Sequence, residues 1–122
     1  MKEFLLALVL LALVGCNHAL GAAGTALDAA SVAGDIYYEE VLERHAMELD
    51  RIYALPEEQR SVELEALHAY FEPFIVAHEL FIEAWTLAAK SWMAAREGRT
   101  DIEAVIQAVL RVSEIVTGLV AP

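Results

Sequence analysis

An all-α fold, a three-helix up-down-up antiparallel bundle, is what this sequence predicts, and three observations carry the prediction. From Leu64 to Ala95 apolar residues recur in alternating steps of three and four, through Leu67, Phe71, Phe74, Phe81, Trp85, Ala88 and Trp92, with only His78 interrupting the seam. Pro56 and Gly98 bracket that stretch, proline where a helix opens and glycine where one stops. Shorter runs with the same spacing precede and follow it, and short turns between them make neighbours antiparallel.

Taken in order, the chain opens with an apolar run from Phe4 to Val14, too short to cross a bilayer core of about 30 Å as a helix but suited to the core of a signal peptide. It ends at Leu13-Val14-Gly15-Cys16. In these four residues the chain resembles bacterial lipoprotein precursors, whose lipobox is Leu, a small or branched residue, Gly or Ala, then Cys. The resemblance covers the first sixteen residues, and the Lys2-Glu3 start departs from it by offering no net positive charge. It implies cleavage of residues 1–15 as a signal peptide, acylation of Cys16 and anchoring to a membrane on the periplasmic side of the cell envelope. Three acyl chains suffice for stable anchoring. Asn17 in place of Asp implies the outer membrane over the inner one, by the enteric pattern. The alternative reading of this region is an uncleaved anchor from Phe4 to Leu27.

Residues 16–24 then read as the lipidated cysteine and a short Gly/Ala-rich tether, which spans about 25 Å at most. Residues 25–122 form the helical bundle. Thr25 has the form of an N-cap for a first helix over about 25–55, with Asp28 favourable at the positive end of its dipole. Small side chains from Ala26 to Gly34 invite close approach by Trp85 and Trp92. Beyond Gly34 the expected seam is Asp35, Tyr38, Leu42, His45, Leu49 and Ile52. A turn near Pro56 sets Leu42 opposite Phe71 and Asp35 opposite His78, so these two polar residues are expected to form a buried pair.

The second helix is expected over 57–97, kinked near Pro73 because proline removes one backbone hydrogen bond. Thr100-Asp101-Ile102-Glu103 has the pattern of a capping box for a third helix over 101–117. Its apolar positions, from Ile102 to Leu119, cover more than half its circumference, so it must touch two helices or another molecule. Gly118 and Pro122 mark an expected frayed end.

Composition bounds the function. A formal net charge of -11 argues against binding nucleic acid, and an apolar content of 58% points to a partner surface or self-association. Glu65 and His68 make one Glu-x-x-His pair, and the turn brings His45 and Glu48 across from them; these four are the candidate metal ligands. A ferritin-like site needs a second such pair, but Leu42 precedes His45 and Ile75 precedes His78 by three, so no metal or other cofactor is assigned. There is no phosphate loop, nucleophile-base-acid spacing or cysteine cluster, and the chain is read as a non-enzyme. The expected role is a lipid-anchored interaction or structural module that binds another envelope protein or itself. The alternative is a carrier of lipid or another small apolar ligand, opening around Phe74, Phe81 and Trp85. A divalent-metal-binding protein and a phage-encoded lipoprotein rank lower.

Overall fold

The structure, a computed structural model, describes residues 16–122, with side chains from His18 onward. The stretch expected to be a signal peptide, with Leu13 to Gly15, and the side chain of Cys16 lie outside the described residues. Three helices follow in order: α1 (Cys16–Tyr53), α2 (Glu57–Arg96) and α3 (Ile102–Thr117). Each packs against both others, giving the expected all-α three-helix bundle. No helix among the described residues is long and apolar enough to cross a membrane.

The expected tether is not a tether. Residues 16–24 are the first turns of α1, and Thr25 is not its cap: its hydroxyl donates to the Gly21 carbonyl at 3.1 Å, within the helix. The physical reason is burial, since Ala19, Ala23, Ala26, Leu27 and Ala30 line one face against α2 and α3. Tertiary packing outweighs the poor helix propensity of the two glycines.

Pro56 caps α2, and Glu57 and Glu58 follow in its first turn, at the positive end of the dipole. Pro73 lies inside α2 on an exposed face, and the helix runs through it without a break. At the far end Gly98 adopts φ 72°, a left-handed conformation that favours glycine. The Arg99 N–H then donates to the Ala94 carbonyl at 2.8 Å, and the Gly98 N–H to Ala95 at 3.1 Å, which closes the helix as a Schellman turn. The next cap is displaced by one residue from expectation: Asp101, not Thr100, accepts from the Ala104 N–H at 3.0 Å.

α1 also presents a different face from the one expected. Tyr37 and Val41 are buried whereas Asp35 and Leu42 are exposed. Gly34 explains the rotation, because the ring edge of Phe81 rests where a Cβ would be. Gly34 belongs on the inner face, and the following turns to Val41 rotate with it, whereas Leu49 and Ile52 of the expected seam pack inward.

The core has two parts. Where α3 is present, Val105, Val109, Val112 and Val116 close over Phe81, Ala88 and the alanines of α1. Beyond the end of α3, a smaller cluster of Tyr37, Val41, Ile52, Leu67 and Phe71 lies between α1 and α2. α3 has 16 residues against 40 in α2, about 24 Å against 60 Å. It therefore covers less than half of the hairpin. The C-terminal residues are not frayed. Leu119 packs against both clusters and Ala121 against the second, so the tail continues the path of α3 across the junction.

Candidate functional site

The two indoles fasten the helix ends nearest Cys16. Trp85 Nε1 donates to the Leu27 carbonyl at 2.8 Å and Trp92 Nε1 to the Leu20 carbonyl at 2.6 Å. Both acceptors are on α1, and Gly24 lies directly under the Trp92 ring. Trp85 meets α1 at Leu27, within the expected small-residue stretch from Ala26 to Gly34, whereas Trp92 meets Leu20 and Gly24, in the stretch expected to be a tether. The guanidinium of Arg96 stacks over Trp92 at 4.8 Å, leaving one cation on the ring's outer side. Beside the indoles, Gly21, Thr25, Leu27, Ala89 and Met93 line an open cleft of about 460 Å³ with Asp28 as its one charged residue.

The expected buried pair does not form. Asp35 is exposed and makes no hydrogen bond to His78, whose ring instead stacks on Tyr38 with centroids 3.9 Å apart and planes 10° from parallel. Burial holds the His78 imidazole below the ordinary histidine pKa, against the pull of the Asp35 and Glu79 charges. The polar bond across this seam is made by a neighbour the sequence did not single out: Tyr37 donates its hydroxyl to the Phe74 carbonyl at 2.9 Å.

The four candidate metal ligands are not gathered into a site. His45 meets the edge of Phe71 at 5.1 Å between centroids, Glu48 accepts from Arg51 at 2.8 Å, and Glu65 and His68 are exposed. No group of three or more metal-ligating side chains exists among the described residues. Arg51 also reaches Glu63 at 3.3 Å, clipping α1 to α2 near their turn.

The aromatic residues around which a ligand site was expected do not line one common pocket. Phe71 and Phe81 are buried, while Phe74, Trp85 and Trp92 are partly covered. The largest opening among the described clefts is a groove of about 770 Å³ between α2 and α3, walled by Leu80, Ala84, Leu87, Ala108 and Ile115 with Glu83, Arg111 and Glu114 at its edges.

Apolar surface is present, though not where the sequence reading set it. The wide arc of α3 is consumed by packing, since Ile106, Leu110 and Ile115 all lie against the core. The surplus is on the two long helices. Val62, Leu80 and Leu87 on α2 are 67, 52 and 63% exposed, and Met47 on α1 is 62% exposed. Among them run the exposed carboxylates Glu65, Glu72, Glu79 and Glu83.

Fold and surface together define the class, a small acidic three-helix bundle whose third helix, at 16 residues, is less than half the length of its partners. No family model, no curated protein and no solved structure matches the chain.

Proposed function

We propose that the protein is a lipid-anchored interaction module of the bacterial cell envelope, held by an acylated Cys16 on the periplasmic side of a membrane, the outer membrane over the inner. Its partner is another envelope protein or a second copy of itself. The observation that carries this reading is the apolar surface of the two long helices: Val62, Leu80 and Leu87 on α2 and Met47 on α1 are more than half exposed and interleaved with carboxylates. Such a surface suits a partner that brings both an apolar strip and positive charge. The lipobox supplies the anchoring half of the reading.

Two measurements test it. Labelled palmitate should enter the wild-type chain and not a Cys16→Ser variant; label that persists in the variant rejects the anchor. A photoreactive residue at Val62 or Leu80 in living cells should give a discrete crosslinked product, and one at Glu103 should give none. Equal or absent crosslinking at all three positions removes the hairpin as a docking surface.

A further inference from the structure

Along the outer face of α2 runs a seam that no charged residue interrupts: Val62, Ala66, Ala69, Pro73, Val76 and Leu80, in alternating steps of four and three. All of them are exposed, Val62 at 67% and Leu80 at 52%. After Leu80 the line continues through Ala84 and Leu87 to Ser91, which wall the groove between α2 and α3, with Ala104 and Ala108 of α3 lining its other side. From Val62 to Leu87 it extends about 38 Å. One flank of the seam carries Glu58, Glu65, Glu72 and Glu79, a carboxylate every seventh residue. All are exposed, and none makes an ion pair among the described residues. An apolar seam at heptad spacing is the face that one helix offers another, and the charges repeated beside it set which partner fits.

We infer that this face of α2 docks a cationic amphipathic helix of another envelope protein, one with apolar residues at heptad spacing and Lys or Arg along the flank that meets Glu58, Glu65, Glu72 and Glu79; the inference rests on the interaction-module reading. Spacing selects a helix, because an apolar line that repeats every three and four residues is matched by a second helix laid along it. Side-chain size selects what that helix carries. Ala66, Ala69 and Ala84 leave room for large apolar side chains, which interdigitate best with small ones. Charge selects the sign and rejects a second copy. Paired with itself in parallel, the seam sets the acidic flank beside Glu63, Tyr70 and Ala77, with no cation among them. Paired antiparallel about Val76 and Ala77, it sets Glu72 against Glu79, and Lys90 is the one cation to reach the flank, near Glu65. Like charges juxtaposed in this way discriminate against the wrong partner, and the net charge of -11 adds a general repulsion between copies. A helix bearing Lys or Arg at every seventh residue meets all these carboxylates at once.

The test uses the full chain purified in a nonionic detergent and a synthetic peptide of four heptads, with Leu at the two seam positions of each heptad and Lys at the two flanking positions. Like charge keeps such a peptide from pairing with itself. Titrated by fluorescence anisotropy, with empty micelles as the blank, it should bind with a Kd on the order of micromolar and gain helicity by circular dichroism. A peptide with Glu at the flanks, and one of the same composition in scrambled order, should bind at least about tenfold more weakly. The double variant Glu65→Lys, Glu72→Lys should weaken the Lys peptide by at least about tenfold and admit the Glu peptide. Glu39→Lys with Glu43→Lys makes the same charge change at exposed positions of α1 and should shift binding less than about twofold, with circular dichroism checking that both variants fold. Equal binding of ordered and scrambled peptides, or equal weakening by both double variants, overturns the site, since general attraction between opposite charges then accounts for the binding. A photoreactive residue at Leu80 that crosslinks the purified chain to a second copy overturns it as well. A discrete crosslink from Leu80 in living cells without binding of the Lys peptide keeps the interaction module and sinks the cationic helix. Peptide binding by a chain whose Cys16 carries no acyl mass supports the helix and sinks the anchor.

Discussion

Two side chains carry residue-scale consequences that their sequence positions do not announce. Ser113 is 1% exposed on the inner face of α3, and its hydroxyl has no hydrogen-bond partner among the described residues. An unpaired buried hydroxyl costs about 1–3 kcal/mol. Ser113→Ala should therefore raise stability by about 1 kcal/mol, read as a higher midpoint in urea with an unchanged slope. His78 titrates below the ordinary histidine value because burial disfavours its charged form. Between its folded pKa and the unfolded value of about 6.5, the unfolded chain binds more protons, so stability rises with pH. The contribution is complete above about pH 6.5 and is lost as pH falls below it. Thermal melts at pH 5.5 and 7.5 should show acid destabilisation in the wild type that is reduced in His78→Gln. An equal pH effect in both proteins would assign the change to other groups.

At the scale of elements, the face that α1 presents depends on one missing methyl group. Glycine is a poor helix former, and by propensity alone its replacement by alanine stabilises by about 1 kcal/mol. Gly21 follows that rule, since an added Cβ would meet nothing within 4 Å. Gly34 does not, because the added atom would collide with a Phe81 ring that is 1% exposed and cannot withdraw. Gly34→Ala should destabilise by about 1–3 kcal/mol, the usual range for overpacking a core, whereas Gly21→Ala should stabilise. Chemical denaturation of the pair, in the same helix and with the same substitution, separates packing from propensity. The periodicity of α1 was legible in the sequence, but a stretch rich in Ala, Val, Leu and Tyr offers two adjacent apolar stripes. Asp35, Tyr38 and Leu42 mark one stripe, and Gly34, Tyr37 and Val41 mark the other. Only the partner helix, through Phe81, chooses between them.

For the whole molecule, the short third helix leaves a bundle that is three helices thick at one end and two at the other. Local opening is governed by how much apolar area each segment buries. Amides of residues 41–53 and 57–70 should therefore exchange with solvent faster than those of residues 23–33 and 84–95, measured by hydrogen–deuterium exchange at neutral pH. Leu119 bridges the two clusters. Leu119→Ala should speed exchange in the hairpin half and cost about 1–2 kcal/mol, less than a fully buried leucine because this one is only partly covered. Uniform exchange across both halves would mean that they open as one unit. The sequence reading misplaced the apolar surplus because the wide arc on α3 serves two helices, while the longer α1 and α2 keep Met47, Val62, Leu80 and Leu87 more than half exposed.

What the sequence determined alone was local and periodic: three helices, their order and antiparallel sense, the stops at Pro56 and Gly98, and the approach of Trp85 to the small residues of α1. These features depend on side-chain size and spacing along one segment, which the chain displays directly. The tertiary structure decided the rest. It made the expected tether at residues 16–24 part of α1, rotated the inner face to Gly34, parted Asp35 from His78, scattered His45, Glu48, Glu65 and His68, and drew the C-terminal residues over the junction. Each of those outcomes depends on which surface of a second element is present at a given height, and no periodicity within a single helix contains that information.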